Sequence, residues 1–232
     1  EMIAEQEGTR HMLSDGCSAI SWGTGDRHVL TIHGWEGRAT QMSAFVPQLL
    51  ARGFKVIAVD APGHGQSSGE VSHPKRFVDA LFAAAESFGP FEAVIGHSMG
   101  GGTALYAALE GLPVNKVISI SGPSNFESVS RRFAQFIGLT ASVTNRFVNG
   151  VETTVGIPFE RINLAERAAE LSIPALLVHD EEDQEVPFWH AQKIQFVLSS
   201  ARLVTTKSLG HRRIVRDPYV VEHVAEFIAE QV

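Results

Sequence analysis

Two periodicities alternate along this chain, and few architectures accept both. Short β-branched runs recur at residues 28–32, 54–59, 92–95, 116–121, 175–179 and 201–206, with the length and composition of buried strands. Between most of them lie patterns with apolar residues near a 3.6 period, at 76–88, 101–109, 188–198 and 219–232. In the last of these Val220, Val221, Val224, Phe227 and Ile228 share one face, while Asp217 and Pro218 supply N-cap and first-turn signals. Parallel strands need long crossovers, and a helix is the usual one. The alternation therefore predicts an α/β fold, with a mainly parallel sheet covered by helices on both faces. In such sheets functional groups collect at the carboxyl ends of strands.

One stretch breaks the rhythm. Residues 122–174 are too long for a simple connection and carry Phe126, Phe133, Phe136, Phe147 and Phe159 among polar residues. They predict a small cap inserted at 123–174; the plainer alternative is a crossover helix with an elaborated loop. No repeat, low-complexity tract or linker divides the 232 residues, so one domain over 1–232 is expected, with Ser67-Ser68-Gly69 a loop within it. With 19 Lys and Arg against 26 Asp and Glu, the chain has no excess of positive charge to track phosphates, and nucleic acid is not an expected partner. No apolar run is long enough to cross a membrane, and the polar start at residues 1–16 is unlike the core of a signal peptide. A cytoplasmic location is the simplest expectation, although an initial Glu rather than Met leaves room for an upstream segment. The single cysteine, Cys17, excludes an intrachain disulfide, a CxxC pair and a Cys-rich zinc site, and reads as a small packing residue.

The chemistry concentrates at Gly96-His97-Ser98-Met99-Gly100, a G-x-S-x-G sequence between a predicted strand and a predicted helix. A tight strand-to-helix turn strains the serine and exposes its hydroxyl; glycines flank it because side chains there would collide with strand and helix. The helix start under Ser98 supplies N–H groups and a positive dipole end, so the Met99 N–H is one expected oxyanion donor. A serine hydroxyl is too weak an acid to attack unaided and needs an imidazole base oriented by a carboxylate.

His211 suits the base, because Ser208-Leu209-Gly210-His211 follows the strand at 201–206. His179 ends a strand, and His190 and His223 lie in helical patterns, where packing or surface roles are the plainer reading. The acid lies in Asp180-Glu181-Glu182-Asp183-Gln184-Glu185, whose five carboxylates are expected to be mostly solvated loop charges. The second oxyanion donor is expected from Ile32-His33-Gly34-Trp35-Glu36-Gly37, with the Trp35 N–H as candidate and its indole as an acyl-pocket wall. The turn Asp60-Ala61-Pro62-Gly63-His64-Gly65-Gln66-Ser67 lacks the lysine of a phosphate loop and reads as structural.

Taken in order, His33-Gly34-Trp35, residues 60–67, residues 96–100, Asp183 and His211 resemble the α/β-hydrolase superfamily, in particular its small serine esterase and lipase-like members, over nearly the whole chain. The resemblance implies an eight-stranded, mainly parallel sheet with a helical cap between the sixth and seventh strands. Its H-G-x-x-D-x-x-V-P-like segment aligns with residues 179–187 and selects Asp183 as the acid. Asp180 then stands where the family has glycine, which keeps an exchange of roles between the two aspartates in view. On the selection of Asp183, Asp183→Asn should cost several orders of magnitude in activity and Asp180→Asn little. Residues before Ser18 hold little room for the family's first strands, so the sheet is expected to lack one or to have a poorly formed edge. Serine at position 98 separates the chain from haloalkane dehalogenase-like and epoxide hydrolase-like relatives, whose nucleophile is aspartate.

These readings converge on hydrolysis of carboxylic esters of small to medium apolar substrates through an acyl-enzyme, with a small-molecule partner and neither cofactor nor metal. The same constellation also serves thioesterases, amidases or aminopeptidases, C–C hydrolases, acyltransferases and perhydrolases. A ligand receptor on the same scaffold is the rival from outside enzymology. A metal protein built on the ten histidines fails on spacing, since no H-x-x-x-H or H-E-x-x-H pair is present.

Overall fold

Eight strands form one sheet in the order β1-β2-β4-β3-β5-β6-β7-β8 in the computed structural model, which describes residues 8–230. Residues 1–7 of the polar start and residues 231–232 of the last helical pattern lie outside the described residues. The strands are β1 (Thr9–Met12), β2 (Ser18–Trp22), β3 (Arg27–Ile32), β4 (Phe54–Val59), β5 (Ala93–His97), β6 (Val117–Ile120), β7 (Ala175–Asp180) and β8 (Arg202–Thr206). β1 and β2 form an antiparallel hairpin, β2 also runs antiparallel to β4, and the strands from β4 to β8 are parallel.

The first two strands correct the expectation of a missing or ill-formed edge. They fit because they are short and joined tightly: Leu13 N–H donates to Cys17 O at 2.8 Å and Gly16, at φ 82°, turns the chain back. β2 escapes a reading by hydrophobic runs because Ser18 and Ser21 interrupt it, although all five of its residues are buried. Cys17 is buried beside it, as a packing residue should be.

Strand alternation divides the core into two layers. Along β4, Ile57 and Val59 face the layer holding Phe77, Leu81 and Leu105, whereas Val56 and Ala58 face Phe45, Leu49 and Val224. The first layer is covered by α2 (Pro74–Phe88) and α3 (Met99–Leu109), and the second by α1 (Val46–Ala51) and α9 (Pro218–Ala229). α9 starts as its sequence predicts: Asp217 Oδ1 accepts from Tyr219 N–H at 3.0 Å with Pro218 in the first turn. α3 starts two residues earlier than its apolar pattern, because Gly100, Gly101 and Gly102 are poor helix formers in isolation. α1 and the 3-10 turn at Ala39–Phe45 before it were not marked by the sequence pattern. α7 (Trp189–Val197) and the short α8 (Gly210–Arg213) complete the carboxyl half.

Between β6 and β7 the long connection folds into α4 (Phe126–Phe136), α5 (Ala141–Val155), a 3-10 turn at Phe159–Ile162 and α6 (Leu164–Arg167). Asn125 caps α4 by accepting from Ser128 N–H at 2.8 Å. Its five phenylalanines divide: Phe126 and Phe159 are buried, Phe147 is half-buried, and Phe133 and Phe136 are 52% and 87% exposed. No helix among the described residues is long and apolar enough to cross a membrane.

Candidate active site

Ser98 sits where β5 passes into α3, with φ 54° and ψ −121°. Such a backbone costs on the order of 1–3 kcal/mol for a residue with a side chain, and the surroundings enforce it. Its N–H donates to Ile120 O at 2.9 Å, and its carbonyl accepts from Gly101 and Gly102 N–H groups at 2.8 and 3.1 Å. A Cβ at Gly96 would stand 2.1 Å from Gly100 O, and one at Gly100 2.4 Å from His33 O, so the flanking glycines are sterically required. Met99 opens the helix, which leaves its N–H among the first-turn donors without an intrahelical acceptor.

The loop after β3 lies against this elbow, close enough that a Cβ on Gly34 would be 2.8 Å from Ser98 Cβ. Its shape is held by His33. Ala61 N–H donates to His33 Nε2 at 3.0 Å, so the ring proton is on Nδ1, where it donates to Gly34 O at 2.6 Å. Gly37 N–H donates to the same carbonyl at 3.0 Å. In a planar trans peptide the N–H points opposite to the C=O, so fixing Gly34 O directs the Trp35 N–H away from His33. Burial lowers His33 to about 4, which keeps the ring neutral in this role. His64 supports the loop from below, accepting from Glu36 N–H at 3.2 Å, with its ring 5.1 Å from that of His33. The Trp35 indole is 51% exposed and meets His64 edge-on at 5.5 Å. The turn at residues 60–67 is structural, as read: buried Asp60 accepts from Ala39 N–H at 2.6 Å and Gln66 N–H at 3.0 Å.

On the other side, Asp183 and His211 meet. His211 Nδ1–H donates to Asp183 Oδ2 at 2.7 Å, which leaves Nε2 as the lone-pair nitrogen. Asp183 Oδ1 accepts from the N–H groups of Glu185 and Val186, both at 2.9 Å. Burial alone would raise the Asp183 carboxyl; the bond from His211 and the Val186 N–H hold it below its ordinary value. His97 joins this pair to the elbow: its Nε2–H donates to His211 O at 2.8 Å, and the two rings are 4.9 Å apart. His97 is buried and lowered to about 3 by burial and by neighbouring His211.

Glu181, Glu182 and Glu185 are exposed, as the sequence suggested, yet each is also paired. Asp180 receives Thr206, Leu209 and Glu182, Glu181 meets Lys207 at 3.2 Å, and Glu182 receives Ser208 Oγ–H at 3.2 Å. Glu185 receives Arg212 Nε–H at 2.8 Å, so all five carboxylates face residues 206–212. The competing histidines take other roles. His179 is buried and donates to Val186 O at 2.8 Å, His190 accepts from Ser124 N–H at 3.0 Å, and His223 lies on the surface against Tyr219. Sequence reasoning passed over His33, His64 and His97 as supports; their adjacency to the glycine motifs was the available signal. Among the described residues no three His, Cys, Asp or Glu side chains converge as metal ligands.

A sequence profile described as alpha/beta hydrolase fold matches residues 27–190. The bifunctional esterase/perhydrolase DCH of Acinetobacter calcoaceticus is 26% identical, over 82% of this chain and 87% of its own. The non-heme haloperoxidase of Rhodococcus erythropolis is 25% identical, over 85% of this chain and 90% of its own. Among solved structures, a monoacylglycerol lipase of Paleococcus ferrophilus superposes with a TM-score of 0.72 at 19% identity, covering 91% of this chain and 97% of that one, a likeness of fold.

Proposed function

The chain belongs to the alpha/beta hydrolase fold family, and on that premise we propose that it is a serine hydrolase acting on carboxylic esters of small to medium apolar substrates. The observation that carries the reading is the buried Asp183–His211 pair at 2.7 Å, joined through the His97 bond to His211 O at 2.8 Å to the elbow that holds Ser98 in a strained backbone. Ser98 attacks the ester carbonyl as His211 Nε2 takes its proton, and Asp183 holds the imidazole and stabilises its charged form. The N–H groups of Trp35 and Met99 receive the developing oxyanion, each worth about 10²–10³ in rate by analogy with such donors elsewhere. His211 returns the proton to the departing alcohol, leaving an acyl group on Ser98. Water deprotonated by His211 then releases the acid. Residues 123–174 serve as the cap over this centre within a single domain.

Perhydrolysis is the second reading, favoured by the esterase/perhydrolase relative. Hydrogen peroxide would then replace water as the acceptor of the acyl group and yield a peracid.

Intact-mass spectrometry after a fluorophosphonate probe, run beside Ser98→Ala with p-nitrophenyl esters from acetate to decanoate, tests the proposal. One adduct on the wild type, none on the variant, and ester turnover confined to the wild type are expected. A folded protein that neither labels nor turns over would favour the receptor reading instead. Adding peroxide to the acetate assay and measuring peracid separates the two enzymatic readings.

A further inference from the structure

We propose that Asp180 is a positioning residue for His211: its carboxylate clamps the turn between β8 and α8 to the acid loop, and so sets where the imidazole meets Asp183. The proposal rests on the serine-hydrolase reading above.

Asp180 ends β7 with no exposed surface. Its Oδ2 accepts from Thr206 Oγ1–H at 2.7 Å and from Leu209 N–H at 3.0 Å, while Oδ1 accepts from Glu182 N–H at 3.0 Å. One carboxylate therefore binds both segments of the site. Asp183 N–H returns to Asp180 O at 3.2 Å, so Asp180, Leu209, His211 and Asp183 lie on one closed circuit of covalent links and hydrogen bonds. Displacing the circuit at Leu209 displaces His211, two residues further on.

The turn needs such a clamp. The sheet's backbone bonding here reaches Glu181 N–H, which donates to Thr206 O at 2.9 Å; beyond it Ser208 and Gly210 adopt φ of 63° and 65°. Ser208 carries a side chain in a conformation that glycine holds more readily. Burial alone would raise the Asp180 carboxyl, yet the bonds from Thr206, Leu209, Glu182 and Gly210 hold it below its ordinary value, as an anion.

Charge matters as well as shape. An asparagine has one acceptor oxygen and an NH₂ group, whereas donors arrive at both oxygens of Asp180. In one orientation its NH₂ faces Glu182 N–H, and in the other it faces Leu209 N–H. Either way one backbone donor loses its partner. This departs from the expectation that Asp180→Asn is close to silent.

The test uses Asp180→Asn and Thr206→Val in the full chain, with Asp183→Asn as reference. Steady-state p-nitrophenyl acetate hydrolysis, thermal midpoints and the downfield proton NMR signal of the His211 Nδ1–H are measured. Asp180→Asn should lower kcat by about 10–100-fold, the scale expected of a misplaced catalytic group, with KM unchanged and the NMR signal shifted or broadened. Thr206→Val removes one donor and should move both readouts the same way by less, with little change in thermal midpoint. Wild-type kcat and an unmoved NMR signal in folded Asp180→Asn would overturn the proposal, as would a lower thermal midpoint with the signal unmoved. If Asp180→Asn does not fold, Thr206→Val decides on the same criteria. If the wild type hydrolyses no ester, the serine-hydrolase reading fails, and the NMR signal still decides whether Asp180 positions His211.

Discussion

His33, His97 and His190 are enclosed as neutral rings, lowered by burial to about 4, 3 and 3, and burial lowers His179 in the same direction. Each ring binds its proton more readily in the unfolded chain, near 6.5, than in the folded one. Their contribution to stability is complete above about pH 6.5 and is lost as pH falls through the folded values, at about 1.4 kcal/mol per pH unit for each such group. Urea unfolding measured between pH 7.5 and 4 should show stability falling below pH 6.5, with a slope of more than one proton. A flat profile through that range would mean that these rings are solvated. At this scale the sequence identified Ser98, Asp183 and His211 as candidates by motif and order. It did not show that His33 directs the Trp35 N–H or that Asp180 is bonded at both oxygens, because those roles depend on atoms brought together across 26 residues or more in three of the bonds.

The helices owe their placement to ends as well as faces. Lys116, 1% exposed just before β6, donates from Nζ to Phe227 O at 3.1 Å, Ile228 O at 2.9 Å and Glu230 O, so its ammonium sits at the negative end of α9. Lys116→Met retains the apolar stem and deletes all three donors. It should destabilise the fold by about 2–4 kcal/mol, read as a lower urea midpoint with unchanged m-value. Element type was legible wherever one period ran unbroken: 54–59 coincides with β4, and the pattern at 76–88 differs from α2 only by the Pro74 start. It failed where serines interrupt β2 and where glycines open α3, since burial there comes from neighbouring elements and not from the segment's own pattern.

Across the whole molecule, the sheet and its two helical layers form the densely buried part, and the β6–β7 insertion is attached more lightly. α4 buries only Phe126 and Ala134, and α5 only Thr144, Val148 and Val155. α4 is tied to the acid loop by Arg132, whose Nη2–H donates to Gln184 O at 2.6 Å. Amide hydrogen exchange should therefore proceed through local opening of α4 and α5 while β3 to β7 remain protected; equal protection in both regions would contradict this division. The sequence alone determined the α/β class, the long insertion and the Ser98 elbow, because alternating periods and a glycine-bracketed serine express constraints that act between near neighbours. Only the tertiary structure decided which acid faces His211, how Asp180 is used and that the β1–β2 hairpin completes the sheet. Those outcomes depend on register between distant segments and on which buried donors converge on which acceptors.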